Sequence, residues 1–511
     1  MSGGGRHKQS LRILLGLGMA VCAAPLFADD LRDALASAYR TNPTLESARA
    51  NQRAVDEGVP IARSQGLPSL GGTANYTEIL RASENSGGIG PDRVLDLAAT
   101  AALPVYSGGA VRNGIKAAET RVRAGQSDLR AVETGVFAQT TAAYMDVIQN
   151  EAIVGLNRNN VQVLEVNLTA TRDRYEIGDL TRTDVAQSEA RLAQARSDLR
   201  SAEANLAAAR ETYIRFVGKP AADLQPPPPL PGMPAMPEDA VAMALEHNPD
   251  LIAERQRSKA SGFDSRVAGA GRLPKVSVFV TGDRTDYLGS YTDSPFNPLI
   301  TGRPLTAQAG VRATIPLFQG GLPAAQQRQA QARENAQLEN EIGTEREVIA
   351  TVRTYYQQWK AAEAIIVSSQ AAVDAAALSL EGVRAENSVG NRTILDILNA
   401  EQELLNAQTI LVRARRNAYV AGFNLIAAMG RATATDLGLD AGPLYDPQVN
   451  YRRVRGIIFD WQRDPAPVAR STRTVDTPAQ TGAISDAVTA SMAPRPAPAP
   501  IPEAVPPGGG K

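Results

Sequence analysis

The sequence predicts an α+β protein whose fold is written twice in one chain. Three observations carry this: an internal repeat at offsets of 206 to 212 residues, two pairs of strands that alternate apolar and polar side chains, and two very long unbroken helical stretches. The composition agrees. Apolar residues make up 43% but aromatics only 5%, so Ala, Val and Leu dominate, which suits close helix packing better than a ring-filled core. With 53 basic and 54 acidic residues the chain lacks the cationic excess that phosphate neutralisation requires, which argues against a nucleic-acid partner.

The chain opens as an address. Arg6, Lys8 and Arg12 precede an apolar run from Ile13 to Phe27, and Ala28 is followed by Asp29 and Asp30. A basic start, a short apolar middle and a small residue before a polar break predict a secretory signal over residues 1–28. Cys22 and His7 leave with it, so neither a Cys/His zinc site nor a Cys nucleophile is expected in the mature chain, and no disulfide. No later segment reads as a transmembrane helix, so contact with a membrane falls to strands.

Asn42 caps a helix that starts at Pro43 and is expected to run to about Ser64, where Leu67-Pro68 breaks it. Strands are predicted around 70–77 and 94–106, and their second-copy partners around 275–284 and 305–318. The last is the clearest: Leu305, Ala307, Ala309, Val311, Ala313, Ile315 and Leu317 alternate with Thr306, Gln308, Gly310, Arg312 and Thr314. A period of two with one apolar face fits a strand crossing an outer membrane, although a soluble sandwich strand alternates equally well. The connecting segments 81–93 and 285–304 are polar and rich in Gly and Pro, with Tyr287, Tyr291 and Phe296 as candidates for an interfacial girdle.

From Gly109 to Tyr175 nothing interrupts a 67-residue helical pattern of about 100 Å, and Gly321 to about Glu386 behaves alike. Return helices are expected over 184–216 and 396–429. Each is half as long, so stacking it end to end with the helix from Asn42 or Asn248 makes a second pillar. The repeat pairs Asn42 with Asn248, Tyr144 with Tyr356, Gly178 with Gly390, Asp184 with Asp396 and Gly218 with Gly430. A Pro-rich linker, 225–237, separates the copies, 29–224 and 238–435; a Pro-, Thr- and Ala-rich tail, 465–511, is expected to be disordered. Four strands cannot close a barrel and an open edge is not tolerated in lipid, so at least two chains are required.

The stretch from Ser388 to Ala400, Ser-Val-Gly-Asn-Arg-Thr-Ile-Leu-Asp-Ile-Leu-Asn-Ala, closely resembles the periplasmic helix tip of the TolC family of outer-membrane efflux proteins. Its first-copy partner is Ile177 to Val185, and the resemblance extends from about Leu31 to Tyr445. Residues 436–464 are expected to form a C-terminal equatorial segment, and within it the stretch from Tyr445-Asp446-Pro447 through Tyr451-Arg452-Arg453 to Trp461 resembles the end of type I secretion members. The resemblance implies a homotrimeric, 12-stranded outer-membrane β-barrel, four strands per chain, continued by a long periplasmic α-helical barrel. It implies a passive exit duct for efflux or type I secretion that works with a periplasmic adaptor and an inner-membrane transporter, ABC or proton-driven.

In that family the helix tips close the tunnel. Carried over position by position, Thr183 and Asp184 bond Arg392 across neighbouring helices, and Asp396 projects into the constriction. Asn387 stands where a tyrosine often makes a gate bond, and Asn399 where a second aspartate ring can occur. Gly178 and Gly390 make the turns at which adaptor hairpins dock. From the residues alone, Asp184 and Asp396 read first as helix caps. No P-loop motif occurs, His247 reads as a helix-end residue, and neither an enzyme, a cofactor nor a metal is expected. The runner-up is a periplasmic coiled-coil adaptor, disfavoured by the two hairpins and four long strands.

Overall fold

The computed structural model describes residues 30–80, 91–290, 303–439 and 444–484. The expected leader, Tyr291, Phe296 and residues 485–511 lie outside them, as does most of the first hairpin loop. Helices α1 (Leu31–Thr41), α2 (Pro43–Asp56) and α3 (Gly58–Ser64) lead into strands β1 (Ser69–Glu78) and β2 (Arg93–Tyr106). Then come α4 (Ala110–Glu176) and α5 (Arg182–Val217). The second copy repeats this as α6 (Pro237–His247), α7 (Pro249–Gly269), β3 (Lys275–Asp286), β4 (Leu305–Thr314), α8 (Leu322–Ser388) and α9 (Ile394–Ala428); α10 (Pro447–Val454) follows. Both long helices are 67 residues, and each begins after a left-handed glycine, Gly109 or Gly321.

The strands form one antiparallel sheet in the order β1-β2-β3-β4. The register aligns the apolar alternation: Leu70 faces Ala101, Ala101 faces Val280, and Val280 faces Ala309. One face therefore carries Leu, Val and Ala across all four strands. The other carries Asn75, Asp96, Thr100, Thr281, Gln308 and Arg312, with Thr285 donating to Asp96 at 2.7 Å. A one-residue slip in any pair would mix the faces.

Two boundaries and the reading of one helix differ from expectation. The helix from Pro43 breaks at Glu57, because Gly58 follows and Pro60 has no N–H to offer Asp56. Strand β4 stops at Thr314, short of Phe318, since Pro316 cannot donate to a ladder, whereas β2 passes Pro104 through a bulge. The sequence names no helical span after the leader, yet α8 contains a window long and apolar enough to cross a membrane by composition. It packs against α7 and α9, but little of that window is buried within the chain.

The pillars are spliced by two asparagines. Asn42 Oδ1 accepts the Thr44 N–H that opens α2, at 2.9 Å, while its Nδ2 donates to Phe216 O at the end of α5, at 3.1 Å. Asn248 does the same for α7 and α9: Leu251 N–H at 3.1 Å and Ala428 O at 2.9 Å. Each buried amide satisfies a donor orphaned at one helix start and a carbonyl orphaned at another helix end. Asn42→Ala or Asn248→Ala is expected to cost about 2 kcal/mol, from the lost cap plus a buried unpaired carbonyl. Serine at either position, which keeps only the cap, should recover about half of that. Heat-unfolding midpoints at a fixed scan rate check both.

The linker is tied down by the duplicated tyrosines. Tyr144 Oη donates to Gln225 O and Tyr356 Oη to Ala235 O, both at 2.6 Å. The tail differs in part from its expected disorder: residues 472–484 lie along α5, starting with Thr472 beside Gly218. Arg210 donates to the carbonyls of Thr481 and Ala483 at 2.7 Å, Glu211 accepts from Gln480 N, and Ile484 enters the main core. Gly482 sits so close to Glu203 O that a Cβ would overlap it. The segment needs no apolar periodicity of its own, because helix side chains satisfy its backbone and one apolar anchor holds its end.

Candidate functional site

At the far end of the helices the two tips have nearly identical geometry. Gly178 and Gly390 each have φ +82, which lets Asp179 N reach Arg174 O and Asn391 N reach Glu386 O, both at 2.9 Å. These bonds close the carbonyl ends of α4 and α8 by a left-handed glycine turn. The return helices start with capping boxes. Asp184 Oδ2 accepts from Thr181 N at 2.9 Å and Thr181 Oγ1 at 2.7 Å. Asp396 Oδ2 accepts from Thr393 N at 2.9 Å and Thr393 Oγ1 at 2.8 Å.

These bonds set the charges. Thr181's hydroxyl and then its N–H hold the Asp184 carboxyl below its usual range. For Asp396 the Thr393 N–H contributes most, its hydroxyl next. A carboxylate whose folded pKa is depressed stabilises the folded state above its unfolded value, and that contribution disappears as pH falls through the folded value. Both tips should therefore fray below about pH 4. Hydrogen exchange of peptides covering 177–190 and 389–402, corrected for intrinsic rates, should show protection lost at pH 3 relative to pH 6; unchanged protection would count against these caps.

Within one chain, Arg392 does not meet Asp184. Its Nε donates to Glu386 at 2.7 Å, and Asn387 Nδ2 donates to the Arg392 carbonyl at 2.6 Å. Thr183 is exposed on the first turn of α5. Asp184, which the resemblance places in a latch, and Asp396, which it places in the constriction, thus serve here as helix caps. Asn399 is an interhelical acceptor, taking Arg191 Nη2 of α5 at 2.8 Å.

The contact that the sequence reading misses lies beyond the tip. Glu401 of α9 is buried, its side chain only 5% exposed. It accepts from Asn167 of α4 at 2.9 and 3.0 Å and from Arg384 of α8 at 3.0 Å. With Arg191–Asn399, it joins the two hairpins of one chain near their ends. A signal exists: Glu401 falls in register with the buried Ile394, Ile397, Leu398 and Leu405, a place where a carboxylate needs a partner. Among the described residues, no group of His, Cys, Asp and Glu side chains is arranged to hold a metal ion.

Comparison with known proteins agrees with this architecture. A family model described as outer membrane efflux protein matches residues 34–219 and again 240–431. The chain is 32% identical over 449 residues to the outer membrane efflux protein BepC of Brucella suis, covering 86% of this chain and 94% of that one. It is 26% identical over 453 residues to the outer membrane protein TolC of Escherichia coli, covering 84% and 88%. Among solved structures, the outer membrane protein VceC of Vibrio cholerae superposes with a TM-score of 0.67 at 22% identity, over 78% of this chain and 96% of that one. The adaptor alternative finds no support in these matches.

Proposed function

The chain belongs to the outer membrane efflux protein family, and on that basis we propose that it is the exit duct of a tripartite efflux or type I secretion assembly. A trimer of this chain conducts substrate passively from an adaptor and an inner-membrane transporter to the exterior, gated at its helix tips. One observation supports this reading above the rest: a four-stranded sheet whose edge strands, β1 and β4, have no outer neighbour among the described residues, joined directly to 67-residue helices. Lipid cannot satisfy those edges, and three chains pair them into a closed ring of twelve strands.

The flank of α8 points the same way. Leu338, Ile342, Val367 and Leu378 are exposed on a helix that already packs on α7 and α9. In the trimer a neighbour's helices cover them. Residues 29–224 and 238–435 then supply equivalent tunnel segments, and Gly178 and Gly390 mark where adaptor hairpins dock. Thr183, Asp184, Asn387, Arg392, Asp396 and Asn399 line the constriction. The test is the mass of the detergent-extracted particle together with its conductance in a planar bilayer. Three copies and small cation-preferring currents are expected. A monomer, or an inserted particle without conductance, defeats the reading.

A further inference from the structure

Beside α3 the chain ends its last helix in an exposed apolar loop. Ile458 is 59% exposed, Phe459 73% and Trp461 89%. Three large apolar side chains within four residues are not left in water without a reason. We propose that this loop, residues 456–463, is an interfacial anchor that seats in the periplasmic leaflet of the outer membrane, its partner a phospholipid surface.

The direction of α10 carries the argument. Asn450 Nδ2 bonds Asp56 at the end of α2 at 2.8 Å, Tyr451 packs in the cluster of Val59 and Ala62, and Arg63 donates to Arg455 O. Successive residues of α10 thus meet successive residues of α2 and α3, so both run towards β1. From the end of α3 at Ser64 to the first residue of β1, Ser69, the chain spans at most about 18 Å. The segment from Gly456 to Trp461 starts and ends in turns, closed by Ile457 N–H on Val454 O and Gln462 N–H on Phe459 O, so it reaches less than the roughly 20 Å of an extended chain. It is pinned at its base, where Arg453 makes a two-pronged pair with Asp464 at 2.7 and 2.8 Å. Its apolar tip is therefore presented on the β1 side of α3, at the membrane end of the helical region.

The chemistry matches a headgroup layer. Trp and Phe favour the boundary between hydrocarbon and water, and Arg455 and Arg463 bracket the loop where phosphates would lie, with Asp460 the one carboxylate between them. The exposed Tyr106 and Phe318, at the same end of β2 and just after β4, place further rings at this level.

The inference rests on the barrel reading, and the experiment separates the two. The chain has two tryptophans, and Trp359 is buried in the core. The emission of wild type minus that of Trp461→Phe, recorded on the full-length assembly in phospholipid vesicles, isolates Trp461 without disturbing Trp359. Vesicles with lipids brominated high on their acyl chains should abolish most of this difference signal, while iodide in the buffer should leave most of it. A signal untouched by brominated lipid overturns the anchor, whether iodide quenches it, as for a loop in water, or fails to, as for a loop covered by a second copy. Conductance of the same vesicles reports the barrel: currents without bromolipid quenching discard the anchor alone, and failure to insert discards both.

Discussion

Gly430→Ala is expected to destabilise the protein by about 3–5 kcal/mol, more than the same change at either of two comparable glycines. Gly430 has φ +74 and sits where α9 ends against the α6–α7 junction. A Cβ there would overlap His247 O and lie 2.9 Å from Asn248 N, both backbone atoms. Relieving that overlap means moving the junction, and with it the Asn248 amide that bonds Ala428 O. Gly218, its partner in the first repeat, has φ +82, and its Cβ would meet the Thr41 hydroxyl at 2.8 Å, a side-chain end that can turn away. Gly390 has φ +82 with open space around it, so alanine there costs only the left-handed backbone, about 1–2 kcal/mol. Heat-unfolding midpoints of the three variants should fall in the order Gly430, Gly218, Gly390, with the largest drop first. Equal drops would mean that conformation alone matters and that the close approach of the two helix ends does not.

Arg392→Ala is expected to raise single-channel conductance several-fold. Its bond to Glu386 is exposed and local, worth little in water, and neither capping box includes it. The substitution therefore leaves the fold of the tip intact, and a conductance change reports the gate. In the proposed closed state Arg392 reaches Asp184 of a neighbouring copy. Asp184→Ala is a poorer probe, since it removes a helix cap worth about 1 kcal/mol as well as a latch. Glu386→Ala supplies the contrast: freeing Arg392 from its local partner should tighten the latch or leave conductance unchanged. If Glu386→Ala opens the channel as far as Arg392→Ala does, the pairing that matters is the local one and the latch is wrong.

Much of this molecule was legible because its signals are local. A 67-residue helix follows from the absence of any proline between Gly109 and Gly178, and a capping role for Asp184 from its place near a helix start. Strand faces follow from alternation, and the common register from the need to keep every apolar residue on one side. The repeat sharpened each of these, since every element was read twice and long helices allowed no slip between copies.

The long helices, the strand pairs, their order and the apolar face of each strand thus follow from interactions within a few residues, and the chain declares them without help. Packing chose the partners. Arg392 bonds Glu386, Glu401 gathers Asn167 and Arg384, and Asn42 and Asn248 join helix ends that lie far apart in the chain. Residues 480–483, which have no periodicity to declare themselves, are held by side chains of α5. A polar group takes whichever donor or acceptor packing brings within about 3 Å, and which faces meet depends on how whole helices stack.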